Sequence, residues 1–279
     1  MRNAPQASTI GEQRYVTAGG QRIRVNVHHG TGVPLVLCNG IGASLEVLDP
    51  LVEYLDQFDI GVVRFDVPGT GGSPTSIAPY GFPYLAWVLG RVLSKLGISV
   101  VDVLGLSWGG ALAQQFAFQN PRRCRRLVLV ATGTGALMVP AHPRVLAKML
   151  TPRRFSDPDY LASIAGELYG GTVRAHGEDV AQLFVRQLHA GSKIGYLHQL
   201  LAGSVWTSLF ALPVVRQETL IVAGTDDPII PVVNAHIMNT LLPHSLLHLH
   251  TGGHIDLVQN ADELAPVIAR FLLEPGERP

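Results

Sequence analysis

The stretch Gly105-Leu106-Ser107-Trp108-Gly109 carries the clearest chemistry in the sequence. An aliphatic, β-branched run over residues 100–104 precedes it and a run at helical spacing, reaching Phe116, follows it, so it reads as strand, tight turn, helix. A turn that sharp pushes Ser107 into strained backbone with its hydroxyl exposed above the sheet. That is tolerable only where Gly105 and Gly109 present no side chains to neighbouring backbone. The arrangement is a nucleophile elbow. A serine hydroxyl is a poor nucleophile at neutral pH, so it requires a histidine base and an orienting carboxylate, in the chain order Ser, acid, His.

Both follow downstream. Asp226-Asp227-Pro228 comes just after the apolar run 219–223, and His254 follows Thr251-Gly252-Gly253 after the run 246–250. Asp227 is the favoured acid because it stands in Gly-x-x-Asp spacing from Gly224; Asp226 is then a solvated or turn-stabilising neighbour. His254 would take the Ser107 proton during attack on a carbonyl and return it to the leaving group, while the carboxylate holds the imidazole tautomer. The tetrahedral oxyanion needs preorganised donors. The backbone N–H of Trp108 is one, and that of Ile41, in the loop Asn39-Gly40-Ile41-Gly42-Ala43-Ser44, is the natural second. Nucleophile, acid and base all come from the chain, so no cofactor is expected. His248 and His250, on one face of a strand, invite a metal site together with His254, but no further ligand set accompanies them and none is expected.

A sheet has to deliver these residues. Residues 14–29 alternate, with Ile23, Val25 and Val27 on one face and Arg22, Arg24 and Asn26 on the other after a Gly19-Gly20 turn, which predicts an antiparallel hairpin. Residues 35–38, 61–66, 100–104, 127–131, 219–223 and 246–250 give six further strands, several apolar enough to be covered on both faces. Helices are predicted between and after them over 45–55, 84–96, the elbow helix to Gln119, 232–241 and 257–272. Such alternation implies an α/β fold with a mostly parallel, eight-stranded sheet and helices on both faces. Ligands bind beyond the carboxyl ends of such strands, and Ser107, Asp227 and His254 each lie just past one.

From 133 to 215 the pattern changes to helical stretches carrying Tyr160, Leu161, Ile164, Leu168, Leu183, Phe184, Leu188, Tyr196, Leu200, Trp206 and Phe210. The expectation is a core domain of residues 1–132 and 216–279 with a helical cap, 133–215, inserted into it. Its apolar residues at helical spacing read as ordinary core, and none is assigned to substrate.

A chain of 279 residues accommodates one α/β domain with an insertion. Its 21 Lys and Arg balance 21 Asp and Glu, which removes the electrostatic case for a nucleic-acid partner. Arg122, Arg123, Arg125 and Arg126, after a predicted helix C-terminus, and Arg153 with Arg154 read as solvated surface. No secretory signal is visible, and the longest apolar stretch, near 127–139, is broken by Gly133 and Gly135, so no transmembrane segment is expected. A cytoplasmic protein with Cys38 and Cys124 as free thiols follows as the expectation.

At these residues the chain resembles the α/β-hydrolase superfamily, and more closely the intracellular medium-chain-length poly(3-hydroxyalkanoate) depolymerases. The matching stretches are Asn39-Gly40-Ile41-Gly42-Ala43, Phe65-Asp66-Val67-Pro68-Gly69, Ser107-Trp108-Gly109-Gly110-Ala111-Leu112-Ala113-Gln114-Gln115-Phe116, Tyr169-Gly170-Gly171, Trp206-Thr207-Ser208, and Ala223-Gly224 with Asp226-Asp227-Pro228. One departure is Thr251-Gly252, where such depolymerases carry an acidic pair before the Gly-His. The resemblance implies an α/β-hydrolase fold and hydrolysis of ester bonds in a stored aliphatic polyester, with Ser107, Asp227 and His254 as triad. It also implies a cap that shapes an apolar acyl site and contacts the granule surface. Three alternatives stay open: a general carboxylesterase on small or medium acyl esters, a carbon–carbon bond hydrolase of dienoic ring-cleavage products with the same triad, and a ligand receptor on a hydrolase scaffold.

Overall fold

Alternating residues near the start of the chain form a hairpin, β1 (Glu12–Ala18) paired antiparallel with β2 (Gln21–His28). The computed structural model describes residues 10–150, 157–175 and 191–275. β2 joins the sheet antiparallel to β4 (Ile60–Phe65); from there β3 (Thr31–Cys38), β5 (Val101–Leu106), β6 (Cys124–Val130), β7 (Glu218–Gly224) and β8 (Ser245–His250) all run parallel. The eight strands lie in the order β1-β2-β4-β3-β5-β6-β7-β8. β3 leads leftward to β4 and β5 leads rightward to β6, so the loops after β3 and β5 diverge and open a crevice at their carboxyl ends. Open α/β sheets bind ligands at such a switch point.

Period-two alternation within the central strands sorts their side chains onto two apolar layers. Val36, Cys38 and Val103 face α2 (Phe82–Lys95) and α3 (Trp108–Gln119), whereas Leu35, Leu37 and Leu104 face α1 (Asp49–Asp56) on the other side. With both faces covered, every residue of β4 and β5 is buried, which is why these strands read as near-continuous apolar runs.

Between β6 and β7 the described residues form α4 (Pro143–Leu150), α5 (Pro158–Tyr169) and α6 (Lys193–Val205). Leu161, Ile164 and Leu168 of α5 make a third small core with Val173, Ile229 and Ile255. Trp206 is buried too, its ring 5.0 Å from that of Phe82 and its indole N–H donated to Gln115. Leu200 and Phe210, in contrast, are exposed rather than core, while Leu183, Phe184 and Leu188 lie outside the described residues.

Three further expectations change. The helix expected over 45–55 opens with a 3₁₀ turn, Leu45–Leu48, before α1, whose first turn carries Pro50. The last helix is two: α7 (Val233–Leu241) and β8 are followed by a short α8 (Asp256–Gln259) and then α9 (Ala261–Leu273). The break falls at Asn260, whose side-chain amide turns back to Asp256 Oδ2 at 3.0 Å and whose carbonyl starts the next helix. Nor is the arginine cluster simply solvated. Arg125 pairs with the buried Asp102, Arg126 is buried with Glu218 and the Leu272 and Glu274 carbonyls, and Arg123 donates to the Gly90, Ile98 and Ser99 carbonyls. Arg125 and Arg126 tie the amino ends of β5 and β6 to the C-terminal helix, and Arg123 ties the turn before β6 to α2 and to the residues before β5; Arg153 and Arg154 lie outside the described residues. Cys38 and Cys124 are buried free thiols. No described helix is long and apolar enough to cross a membrane.

Candidate active site

β5 ends at Leu106 and α3 begins at Trp108, so the whole turn is one residue, Ser107, at φ 54°, ψ −118°. A non-glycine residue in that region costs on the order of 1–3 kcal/mol and persists only where its surroundings over-determine it. Here they do. Ser107 N–H donates to the Val130 carbonyl at 2.9 Å, and its carbonyl accepts from Thr132 Oγ1 at 2.7 Å and from Gly110 N–H at 2.9 Å. A Cβ on Gly105 would collide with the Gly109 backbone, and one on Gly109 with the Cys38 and Asn39 carbonyls. Glycine is therefore required on both sides of the serine, and Ser107 stays partly exposed.

The structure brings three of the residues singled out in the sequence onto one line. His254 Nε2 lies 2.9 Å from Ser107 Oγ, and His254 Nδ1 lies 2.8 Å from Asp227 Oδ2. Asp227 Oδ1 is taken by the Ile229 and Ile230 N–H groups at 2.8 and 2.9 Å. Oδ2 then accepts the imidazole Nδ1–H, which leaves the Nε2 lone pair for the serine hydroxyl. Asp227 and His254 are both buried, so this pair works with little screening by water. His254 is also fixed through its backbone N–H, which donates to the Tyr169 carbonyl at the end of α5.

Asp226 points the other way. Both its oxygens accept from Arg174, at 2.8 Å each, and Oδ2 also takes the Gly171 N–H. Hydrogen bonding to that guanidinium, opposed by burial and aided to a smaller extent by the Gly171 N–H, holds the Asp226 carboxyl below the usual carboxylate range. His250 does not turn toward His254's partners: its Nδ1 accepts from Gly252 N–H at 3.1 Å. Burial, opposed by the Asp256 carboxylate, pushes its titration down.

Ile41 and Trp108, whose backbone N–H groups are the expected oxyanion donors, lie in the loop after β3 and at the first position of α3, directly after Ser107. Neither the Ile41 nor the Trp108 N–H donates to an acceptor among the described residues. The Ile41 loop is closed by Asn39, whose Nδ2 donates to the Ser44 carbonyl at 2.7 Å, and by a Gly40–Ala43 turn. Chemically, the constellation offers a hydroxyl nucleophile and an imidazole base held in one tautomer by a buried carboxylate, which is the core of an acyl-transfer site.

Several contacts to this rim had no signal in the sequence pattern. Gln199 of α6 accepts the Gly42 N–H through Oε1 at 2.9 Å, and its carbonyl accepts the Trp108 indole N–H at 3.0 Å. Gly195 packs so closely on Gly69 that a Cβ on Gly69 would stand 2.5 Å from the Gly195 Cα. Arg174 and Tyr169 are the others. All four come from the segment between β6 and β7 and act on backbone or on exposed charge, which leaves no periodicity to read.

Comparison with known proteins identifies the fold family. A family model described as the alpha/beta hydrolase fold matches residues 33–261. A poly(3-hydroxyalkanoate) depolymerase of Ectopseudomonas oleovorans is 45% identical over 267 residues, 95% of this chain and 94% of that protein. A 2-hydroxymuconate semialdehyde hydrolase of Pseudomonas putida is 29% identical, with 98% of each chain covered. Among solved structures, the enol-lactonase from Burkholderia xenovorans LB400 superposes with a TM-score of 0.81 at 21% identity, covering 94% of this chain and 100% of that one. A fold match along most of the chain and a 45% identical relative aligned nearly end to end leave one assignment: the chain belongs to the α/β-hydrolase fold family.

Proposed function

We propose that this protein is a serine ester hydrolase that depolymerises poly(3-hydroxyalkanoate) through an acyl-enzyme on Ser107. The observation that carries the chemistry is the continuous hydrogen-bonded line from Ser107 Oγ through His254 to Asp227. Ser107 Oγ attacks the ester carbonyl carbon while His254 Nε2 takes its proton, and Asp227 stabilises the imidazolium. Oxyanion charge develops against the Ile41 and Trp108 N–H groups. Collapse expels the alcohol end of the chain, which takes the proton from His254; water activated by the same imidazole then releases the 3-hydroxy acid. The 45% identical depolymerase supports the polyester as substrate. Medium-chain-length polymer is the finer form of the assignment.

Residues 133–215 act as the cap. In support, Gln199 and Gly195 seat α6 on the loops after β3 and β4, and Arg174 and Tyr169 hold the loops after β7 and β8. The outer face of α6 supports contact with a granule surface. Ile194, Leu197, Leu201 and Val205 follow one another at intervals of three or four along it, with Ile194 60% and Val205 82% exposed. A solid aliphatic polyester is the partner whose chemistry matches that stripe.

The test is clearing of an aqueous medium-chain polyhydroxyalkanoate latex beside hydrolysis of 4-nitrophenyl esters by wild type and Ser107→Ala. Clearing that disappears in Ser107→Ala is expected. Ester turnover without clearing would reduce the function to a carboxylesterase. Turnover of dienoic ring-cleavage products alone would move it to carbon–carbon hydrolysis, the activity class that the name of the 29% identical relative describes for that protein.

A further inference from the structure

Gln199 is a fully buried polar side chain on the inner face of α6, 157 residues along the chain from the Gly42 N–H that it accepts. Burying an amide is unfavourable unless its hydrogen bonds are made. A position on a helix packed against apolar neighbours would ordinarily be filled by leucine or methionine. Its contacts explain the choice. Oε1 accepts the N–H of Gly42, the peptide group directly after Ile41, and the Gln199 carbonyl accepts the indole N–H of Trp108. Nε2 turns back to the Gly195 carbonyl, which orients the amide so that Oε1 faces the loop. The same residue thus holds the peptide directly after Ile41 through its side chain and the Trp108 indole through its backbone carbonyl.

The geometry points to Gln199 as a positioning residue for the oxyanion hole, resting on the serine-hydrolase function proposed above. In the glycine-flanked loop, the Ile41–Gly42 peptide is held in one orientation by this acceptor. With that peptide fixed, the preceding Gly40–Ile41 peptide keeps its N–H aimed at the crevice. Without the acceptor the buried Gly42 N–H is unpaired and the loop relieves this by rotating, which carries the Ile41 N–H off target. Because the oxyanion is absent from the bound substrate and develops only on the way to the tetrahedral intermediate, the loss falls on kcat and leaves KM largely unchanged.

Gln199→Met keeps the shape and removes the acceptor. It should lower kcat on a 4-nitrophenyl ester by about 10- to 100-fold, somewhat less than outright removal of an oxyanion donor, with KM within about twofold. Gln199→Glu keeps an acceptor oxygen in either protonation state and should recover most of the rate. A fluorophosphonate probe reports the same geometry without a substrate. Ser107 Oγ bonds to phosphorus, fluoride leaves, the serine proton passes to His254, and the phosphoryl oxygen occupies the oxyanion hole. The labelling rate should fall in parallel with kcat.

Hydrogen exchange of the wild type needs no variant, and a protected Gly42 amide is expected. A Gly42 amide exchanging at the unprotected rate overturns the inference, as does a Gln199→Met protein labelled at the wild-type rate. So does a Gln199→Glu protein as slow as Gln199→Met. A wild type that the probe leaves unlabelled at Ser107 overturns the serine-hydrolase function, and the inference with it.

Discussion

The site is built by two regions that contribute in different ways. The strand-end loops supply the side chains that would carry the reaction, on backbone fixed by the parallel sheet. The helical segment between β6 and β7 supplies hydrogen bonds that hold those loops. Asp226 and Asp227 mark the seam between the two. They are adjacent and chemically identical, yet the Asp227 side chain is 1% exposed against His254, while that of Asp226 is 42% exposed against Arg174. The direction in which the chain leaves β7 sorts them, one into the rim and one onto the insertion. The side chains that would carry the reaction thus sit at strand ends, and the segment between β6 and β7 acts on them through the hydrogen bonds that hold their loops.

The largest separation is expected at Asp227. Asp227→Asn keeps an oxygen for the Ile229 and Ile230 N–H groups, so the loop survives, but it presents an amide where His254 Nδ1 needs an acceptor. The imidazole then settles in the other tautomer, with Nε2–H facing the serine. A fall in kcat of about 10⁴-fold is expected, with the melting temperature nearly unchanged. Full activity in Asp227→Asn would dissolve the distinction between rim and insertion.

An intermediate effect is expected on the outer face of α6, where the insertion would meet a solid substrate. Leu197→Glu with Leu201→Glu places charge on two exposed positions and touches no part of the triad. Each leucine buried against an apolar surface is worth about 1.5–3 kcal/mol, so latex clearing should fall at least about tenfold. Turnover of a soluble 4-nitrophenyl ester should stay within about twofold. Equal loss on both substrates would place the stripe in folding rather than docking, and a dimer by light scattering that dissociates in the variant would assign it to a second copy.

The strand-end half of this comparison was legible in the sequence for physical reasons. Strands covered on both faces must be apolar, a one-residue elbow must be flanked by glycine, and an acid and a histidine that serve one serine must follow strand ends. Each requirement leaves residue types at fixed spacing, as at Gly105, Ser107, Gly109, Asp227 and His254. The insertion leaves no such trace. Gln199 and Arg174 work through backbone groups or partners fixed only by tertiary placement, and a glutamine inside an apolar helix looks the same whether it faces water or the Gly42 amide. Asn260 shows the same limit within the core. Apolar spacing over 257–272 is continuous, yet Asn260 leaves the helical region at φ −119°, ψ 43° and the helix breaks there.

The smallest effect, and the sharpest contrast with Asp227, is expected at Asp226. Asp226→Asn removes the bidentate charge of the Arg174 pair but retains an acceptor for Gly171 N–H, so activity should stay within about threefold of wild type. Being two-fifths exposed, the pair is screened, and its loss should cost only about 0.5–1 kcal/mol in urea unfolding at pH 7. Its pH dependence has a definite sign. Arg174 holds the folded carboxyl below its usual value, so the unfolded chain takes up the proton first as pH falls. The increment is therefore fully present above the unfolded value of about 4 and disappears as pH drops through the folded one. Unfolding free energies of wild type and Asp226→Asn should differ at pH 7 and converge toward pH 3. A gap that persists at low pH would mean that the carboxylate charge is not what binds the insertion to the loop after β7. A loss of activity as deep as that expected for Asp227→Asn would exchange the roles of the two aspartates.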